Sequence, residues 1–162
     1  MSFAKEYIKQ SAEICELIEI ETVELMAQNL KALRDRGGRL FFIGSGGGAG
    51  HSSHAVNDFR KIANIESYTP TDNVSELTAR INDDGWDTSY LNWLKVSKFS
   101  SKDALFIFSV GGGSEEQNIS VNLVECIKLA KIVGSKIFGI VGRDGGFTKE
   151  SSDLVVIIPT IE

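Results

Sequence analysis

Three times along this chain an apolar run breaks off in glycine and polar residues and gives way to a helical pattern. Leu40-Phe41-Phe42-Ile43 runs into Gly44-Ser45-Gly46-Gly47-Gly48-Ala49-Gly50, and the segment at about 48–62 reads as helix. Asp103 to Phe108 runs into Ser109-Val110-Gly111-Gly112-Gly113-Ser114, with a helical pattern from Glu115 to Val133. Lys136 to Val141 runs into Gly142-Arg143-Asp144-Gly145-Gly146 and a short helical turn, ahead of a last apolar run, Leu154 to Ile158. Strands apolar throughout that alternate with helices are buried on both faces, which means a parallel sheet between two helical layers. Ligands of such sheets bind at the carboxyl ends of the strands, where the strand order reverses. All three glycine clusters fall at those ends.

The rest of the chain fits around this core. Residues 3–36 read as one long helix, with Ile8, Ala12, Cys15, Ile18, Val23, Met26, Leu30 and Leu33 at three- and four-residue steps. Glutamates fill much of its other face, and an arm of this length can pack against a second subunit. Gly37-Gly38 ends it. Glu66 to Thr69 reads as a short strand closed by Pro70, and Thr71 or Asp72 as the N-cap of a helix reaching about Ile81. Asn82 to Gly85 reads as a turn, and Trp86 to Ser97 as a further helix. With 162 residues the chain fits one domain. Its net charge of −5, with no basic run, speaks against nucleic acid as a partner. No apolar run is long enough to cross a membrane. Met1 to Glu6 lacks a secretory signal pattern. Two isolated cysteines, Cys15 and Cys126, suit a reducing, cytoplasmic setting.

What the glycine loops could hold follows from their chemistry. A glycine turn feeding a helix N-terminus presents free N–H groups and a positive dipole end, which together suit an anion. No P-loop lysine follows the first loop, and no acidic residue stands where a ribose would need one. Amides with the hydroxyls of Ser45, Ser109 and Ser114 suit a single phosphate monoester. Glu115 and Glu116 would repel a dianion unless they point away. His51 and His54, the chain's two histidines, share one helix face with Asp58. That set admits three readings: acid–base chemistry next to a carbonyl, a metal pair, or structure alone.

Taken jointly, these motifs resemble the phosphoheptose (sedoheptulose 7-phosphate) isomerase family, of the sugar-isomerase (SIS) fold. The likeness rests on Gly44 to Gly48 with His54 and Asp58, on Thr71 to Ala79, on Asn82-Asp83, on the Ser109–Ser114 loop and on Gly142 to Gly146. It implies an α/β, three-layer α/β/α sandwich with a five-stranded parallel sheet in flavodoxin-like order, in one domain over residues 1–162. Residues 1–36 would form a helical arm and 37–162 the core, which is expected to lack the family's C-terminal helix and its second catalytic histidine. The resemblance implies an isomerase of sedoheptulose 7-phosphate serving surface-polysaccharide (lipopolysaccharide or capsule) heptose synthesis. It implies a homotetramer with active sites between subunits and no required cofactor; some members bind zinc. Asp58 stands where the family has its catalytic glutamate, one methylene shorter, and His54 where it has a substrate- or metal-binding histidine. Ser45, Gly46, Gly47, Gly48, Ser109, Gly111, Gly112, Gly113 and Ser114 would bind substrate, with Asn73 and Ser75 lining the sugar. Val110 and Gly111 replace hydroxyl residues, leaving more of the anion to backbone amides. The alternative is a non-catalytic phosphosugar-binding or regulatory protein of the same fold.

Overall fold

The structure, a computed structural model, describes residues 2–159. The ends of the expected domain, Met1 and 160–162, lie outside the described residues. Five strands, β1 (Leu40–Gly44), β2 (Ser67–Tyr68), β3 (Ala104–Ser109), β4 (Lys136–Gly142) and β5 (Leu154–Ile158), form one sheet in the order β2-β1-β3-β4-β5. Every pairing is parallel. Successive side chains of a strand point to opposite faces, so each apolar run feeds two cores. Phe41, Ile43, Leu105, Ile107 and Ile137 pack on one face against Tyr90 and Leu94 of α5 (Trp86–Val96) and Leu123, Cys126 and Ile127 of α6 (Val121–Val133). Leu40, Phe42, Phe106, Phe138 and Val156 pack on the other against Met26 and Leu33 of α2 (Ile20–Asp35) and Val56 of α3 (Gly47–Lys61). The sheet reverses direction of growth between β1 and β3, so the tips of these two strands flank the switch point.

The N-terminal arm is two helices, not one. α1 (Phe3–Glu16) ends before Glu19, whose extended backbone (ψ 101°) restarts the helix as α2. Apolar residues at helical spacing continue through the break, so the pattern reports which face is buried and not whether the axis is straight. α2 commits Met26 and Leu33 to the sheet, whereas α1 buries none of its residues and leaves Phe3, Tyr7 and Ile8 exposed.

Three further boundaries differ from expectation. Asn73, not Thr71 or Asp72, caps α4 (Val74–Asp84), its Oδ1 accepting from the Glu76 N–H at 3.2 Å. Thr71 and Asp72 are spent in a turn after Pro70. α4 runs through Asn82 and Asp83 and stops at Gly85, whose φ of +84° an L-residue resists. The helix after β3 starts at Val121 and not at Glu115. Between them Ser114 and Ile119 exchange two backbone hydrogen bonds of 2.9 Å, closing a small loop over 115–118. α7 (Gly146–Ser151) is the short turn after β4. Among the described residues, no helix is long and apolar enough to cross a membrane.

Candidate functional site

At the tips of β1, β3 and β4 the chain encloses a cavity of about 600 Å³. Its walls are Ser45, Gly47 and Gly48 of the first loop, Ser109, Gly111 and Gly113 of the second, and Gly142 and Arg143 of the third. His51 from α3, Ser120 at the start of α6, and Phe108, Ile140 and Ile158 complete it. Glycine is required where the loops meet α3. A Cβ on Gly48 would come within 2.4 Å of the Phe108 carbonyl oxygen, so α3 seats its first turn directly against the end of β3. Gly46, with φ +56°, turns the chain from β1 into that helix.

The second and third loops are bound into one unit. Thr148 of α7 donates to the Gly112 carbonyl from its N–H (3.0 Å) and its buried hydroxyl (2.7 Å), and the Phe147 N–H donates to the Gly113 carbonyl at 2.9 Å. The first loop is braced from the opposite helical layer. Tyr90, 1% exposed, donates its hydroxyl to the Gly44 carbonyl at 3.0 Å, and burial pushes its pKa up to about 12. Asn122 Nδ2 donates to Ser45 Oγ at 3.2 Å.

The residues expected to carry function divide into groups. Ser45, Gly47, Gly48, Ser109, Gly111 and Gly113 line the strand-tip cavity. Ser109 Oγ accepts from the Gly112 N–H at 3.0 Å, which leaves its own proton to donate. Gly46 and Gly112 shape the loops without lining that cavity. Ser114 instead lines a second cavity of about 720 Å³ with Glu115, Glu116, Asp144 and Glu150, and its hydroxyl accepts from the Gln117 N–H. Glu115 turns away from the strand tips to pair with Lys128 at 2.6 Å. Asn73 caps α4 and Ser75 sits in its first turn; neither lines either cavity. His54 Nε2 and Asp58 Oδ2 pair at 3.2 Å on α3, with side chains 78% and 43% exposed. Within one chain they stand beyond the cavity, one and two turns along the helix from His51.

A zinc site in a protein takes at least three protein ligands. Among the described residues no group of three or more His, Cys, Asp or Glu is placed to hold a metal ion. His54 and Asp58 supply two donors that face each other, so they do not complete a zinc site within the chain.

Sequence reasoning left two polar wall residues, Ser120 and Arg143, unassigned, and did not separate His51 from His54 and Asp58. Ser120 directly precedes the apolar spacing of α6, the usual N-terminus signal. Placing the helix start at Glu115 hid it. Arg143, in a left-handed conformation (φ +55°), brings a cation to the wall. His51 was noted beside His54 and Asp58, but only its packing near the Phe108 ring, 5.9 Å between centroids, shows that it faces the cavity.

A parallel sheet in this order, with serine-bearing glycine loops at neighbouring strand tips, defines a domain of the sugar-isomerase class. No protein-family model matches the chain. The phosphoheptose isomerase of Clostridium acetobutylicum is 30% identical over 161 residues, covering 97% of this chain and 76% of that protein. The lincomycin biosynthesis protein LmbN of Streptomyces lincolnensis is 31% identical over 133 residues, 76% of this chain, which spans only 46% of that protein. A solved phosphoheptose isomerase from Francisella tularensis superposes with a TM-score of 0.82 at 15% identity, covering 99% of this chain and 84% of that one. The chain belongs to the phosphoheptose isomerase family.

Proposed function

We propose that the protein is a phosphosugar aldose–ketose isomerase converting sedoheptulose 7-phosphate to a heptose 7-phosphate. The observation that carries this reading is the strand-tip cavity, where Ser45, Ser109 and Ser120 meet the start of α6. The N–H of Val121 precedes the first intrahelical bonds of α6, so it is free to meet an anion. The phosphate binds there and the sugar extends towards α3. Asp58 acts as base: it takes the proton from the carbon next to the carbonyl, giving an enediolate, and returns it to the former carbonyl carbon, while the hydroxyl proton passes from the neighbouring oxygen to the former carbonyl oxygen. His54, 3.2 Å from Asp58, orients that carboxylate and meets the sugar oxygens.

Asp58 lies outside the cavity of a single chain, so the working site is closed by a second copy in a homo-oligomer, a tetramer by family likeness. The exposed apolar residues of α1, Phe3, Tyr7 and Ile8, supply area for that assembly. The enzyme works in the cytoplasm without a required cofactor, supplying heptose for surface polysaccharide.

The test is incubation with sedoheptulose 7-phosphate while aldose formation is followed. Asp58→Asn is expected to lower kcat on the order of 10²–10⁴-fold with KM changed only a few-fold, the usual contribution of a positioned acid–base group. Tight binding of the phosphosugar without turnover by the wild type would select the non-catalytic binder instead.

A further inference from the structure

Asn122 is out of place by the logic of its surroundings. It stands in the first turn of α6 with no exposed surface, followed by Leu123 and Val124, also buried. Its Oδ1 is buried without a hydrogen-bond partner among the described residues. A buried amide with half its capacity unmet weakens a core, and an apolar residue of similar size would serve stability better. Packing therefore does not account for it. Its one hydrogen bond does: Nδ2 donates to Ser45 Oγ at 3.2 Å, joining α6 to the first glycine loop across 77 positions of sequence.

That bond determines what Ser45 can do. A hydroxyl has one proton to donate and accepts through its lone pairs. With Asn122 Nδ2 occupying the acceptor side, the Ser45 proton is left to donate; the Tyr90 hydroxyl lies beside it, and an anion in the cavity that Ser45 lines is the stronger acceptor of the two. The Tyr90 bond to the Gly44 carbonyl holds the backbone just before Ser45, so loop and side chain are fixed from the same layer. We infer that Asn122 is a positioning residue for the anionic substrate: it holds Ser45 as a preoriented hydrogen-bond donor to the phosphate of the bound phosphosugar. This rests on the phosphosugar reading of the strand-tip cavity.

The experiment compares wild type, Asn122→Leu, Ser45→Ala and the double variant. Titration calorimetry with inorganic phosphate gives affinity, steady-state kinetics with sedoheptulose 7-phosphate gives KM and kcat, and thermal unfolding reports the fold. Asn122→Leu is expected to keep or raise Tm while phosphate affinity falls about five- to tenfold, the scale of one hydrogen bond. KM should rise by the same factor with kcat within about twofold, since the lost bond is made in ground and transition state alike. Ser45→Ala should match it, and the double variant should lose no more than either single one.

Asn122→Asp tests the point without depending on the leucine variant folding. Its carboxylate would accept the Ser45 proton and turn the donor inward. Affinity relative to wild type should therefore fall at neutral pH and recover on acidification, as the acid protonates and donates again. Wild-type phosphate affinity and KM in Asn122→Leu, or losses that multiply in the double variant, overturn the inference alone. A wild type that neither binds phosphate nor turns over the phosphosugar overturns the functional reading and this inference with it.

Discussion

The contact between the second and third strand-tip loops offers a test at a single atom. Gly112 has φ +71°, and a Cβ built there would lie 1.8 Å from the Gly145 carbonyl oxygen, where real Cβ atoms essentially never come within 3.0 Å. An alanine at 112 therefore carries two penalties. The left-handed conformation costs an L-residue ~1–2 kcal/mol. Relieving the clash moves the 142–146 loop away by more than an ångström, which breaks or weakens the two Thr148 bonds to Gly112 and the Phe147 bond to Gly113. At ~1 kcal/mol each, the loss brings the expected destabilisation to about 4 kcal/mol, a large share of the ~5–15 kcal/mol that stabilises a typical domain. Gly111 is the control in the same loop: its Cβ would meet only the flexible Arg143 side chain at 3.6 Å and beyond. Urea unfolding followed by the fluorescence of Trp86 and Trp93 should show Gly112→Ala strongly shifted and Gly111→Ala within about 1 kcal/mol of wild type. Equal midpoints for all three, or equal losses in both variants, would refute the argument that this contact and not loop composition sets the shape of the anion cradle.

At the opposite end of the sheet Asp103, whose side chain is 3% exposed, accepts from Arg39 Nε at 3.0 Å, Arg39 Nη2 at 2.9 Å and the Ser100 N–H at 2.9 Å. Burial alone would raise its pKa; the bonds from Arg39 and Ser100 outweigh it and hold the carboxyl below the usual range. Asp103→Asn should cost ~2–3 kcal/mol at pH 7. A depressed folded-state pKa gives stability that is present above the unfolded value and lost on acidification, so variant and wild type should converge below about pH 4 in an acid unfolding series. Tyr90 has the opposite sign, with its pKa pushed up to about 12 by burial. Its stability contribution is complete below about pH 10 and lost as pH rises from there through about 12. Tyr90→Phe should be less stable by ~1 kcal/mol at neutral pH, with the gap closing in alkaline unfolding; a constant gap would contradict the burial argument. If a second copy closes the Asp58 side of the site, turnover per chain should fall on dilution through the dissociation range seen by light scattering, with phosphate affinity unchanged.

The sheet was legible because its signal is redundant. β1 and β3, and β4 after Lys136, are apolar up to their last residues and end where glycine or serine releases the chain, so pattern and punctuation agree. The same cues misplaced the start of α6. Ser114-Glu115-Glu116 imitates a capped helix start, with a hydroxyl followed by acidic residues. The chain spends those residues on a bridge to Ile119, because Gly112 and Gly113 (φ +71° and +82°) turn it aside first. Ser120 begins the helix from a left-handed conformation (φ +50°) and makes no side-chain capping bond, so the true start is marked only by a serine ahead of apolar spacing, a cue weaker than the one at Ser114. The break at Glu19 likewise has no proline or glycine to announce it and follows from which helix finds sheet to cover.

The site divides along the line between local and tertiary information. The anion cradle is written in short segments: a strand, a glycine turn and a hydroxyl are neighbours in sequence and remain neighbours in space. The groups facing the cradle are not written so. His51, His54 and Asp58 are equivalent on a helical projection, and only the seating of Gly48 against Phe108 makes His51 the one at the cavity wall. Asn122, inside an apolar helix, gives no sequence cue that its amide reaches Ser45. His54 and Asp58, exposed and paired, occupy the part of α3 that a single chain leaves open. The cradle is thus complete in one chain while the proposed acid–base pair is not enclosed by it. On the proposed reading, substrate anchoring is a property of the monomer fold, and the chemistry a property of how copies assemble over α3.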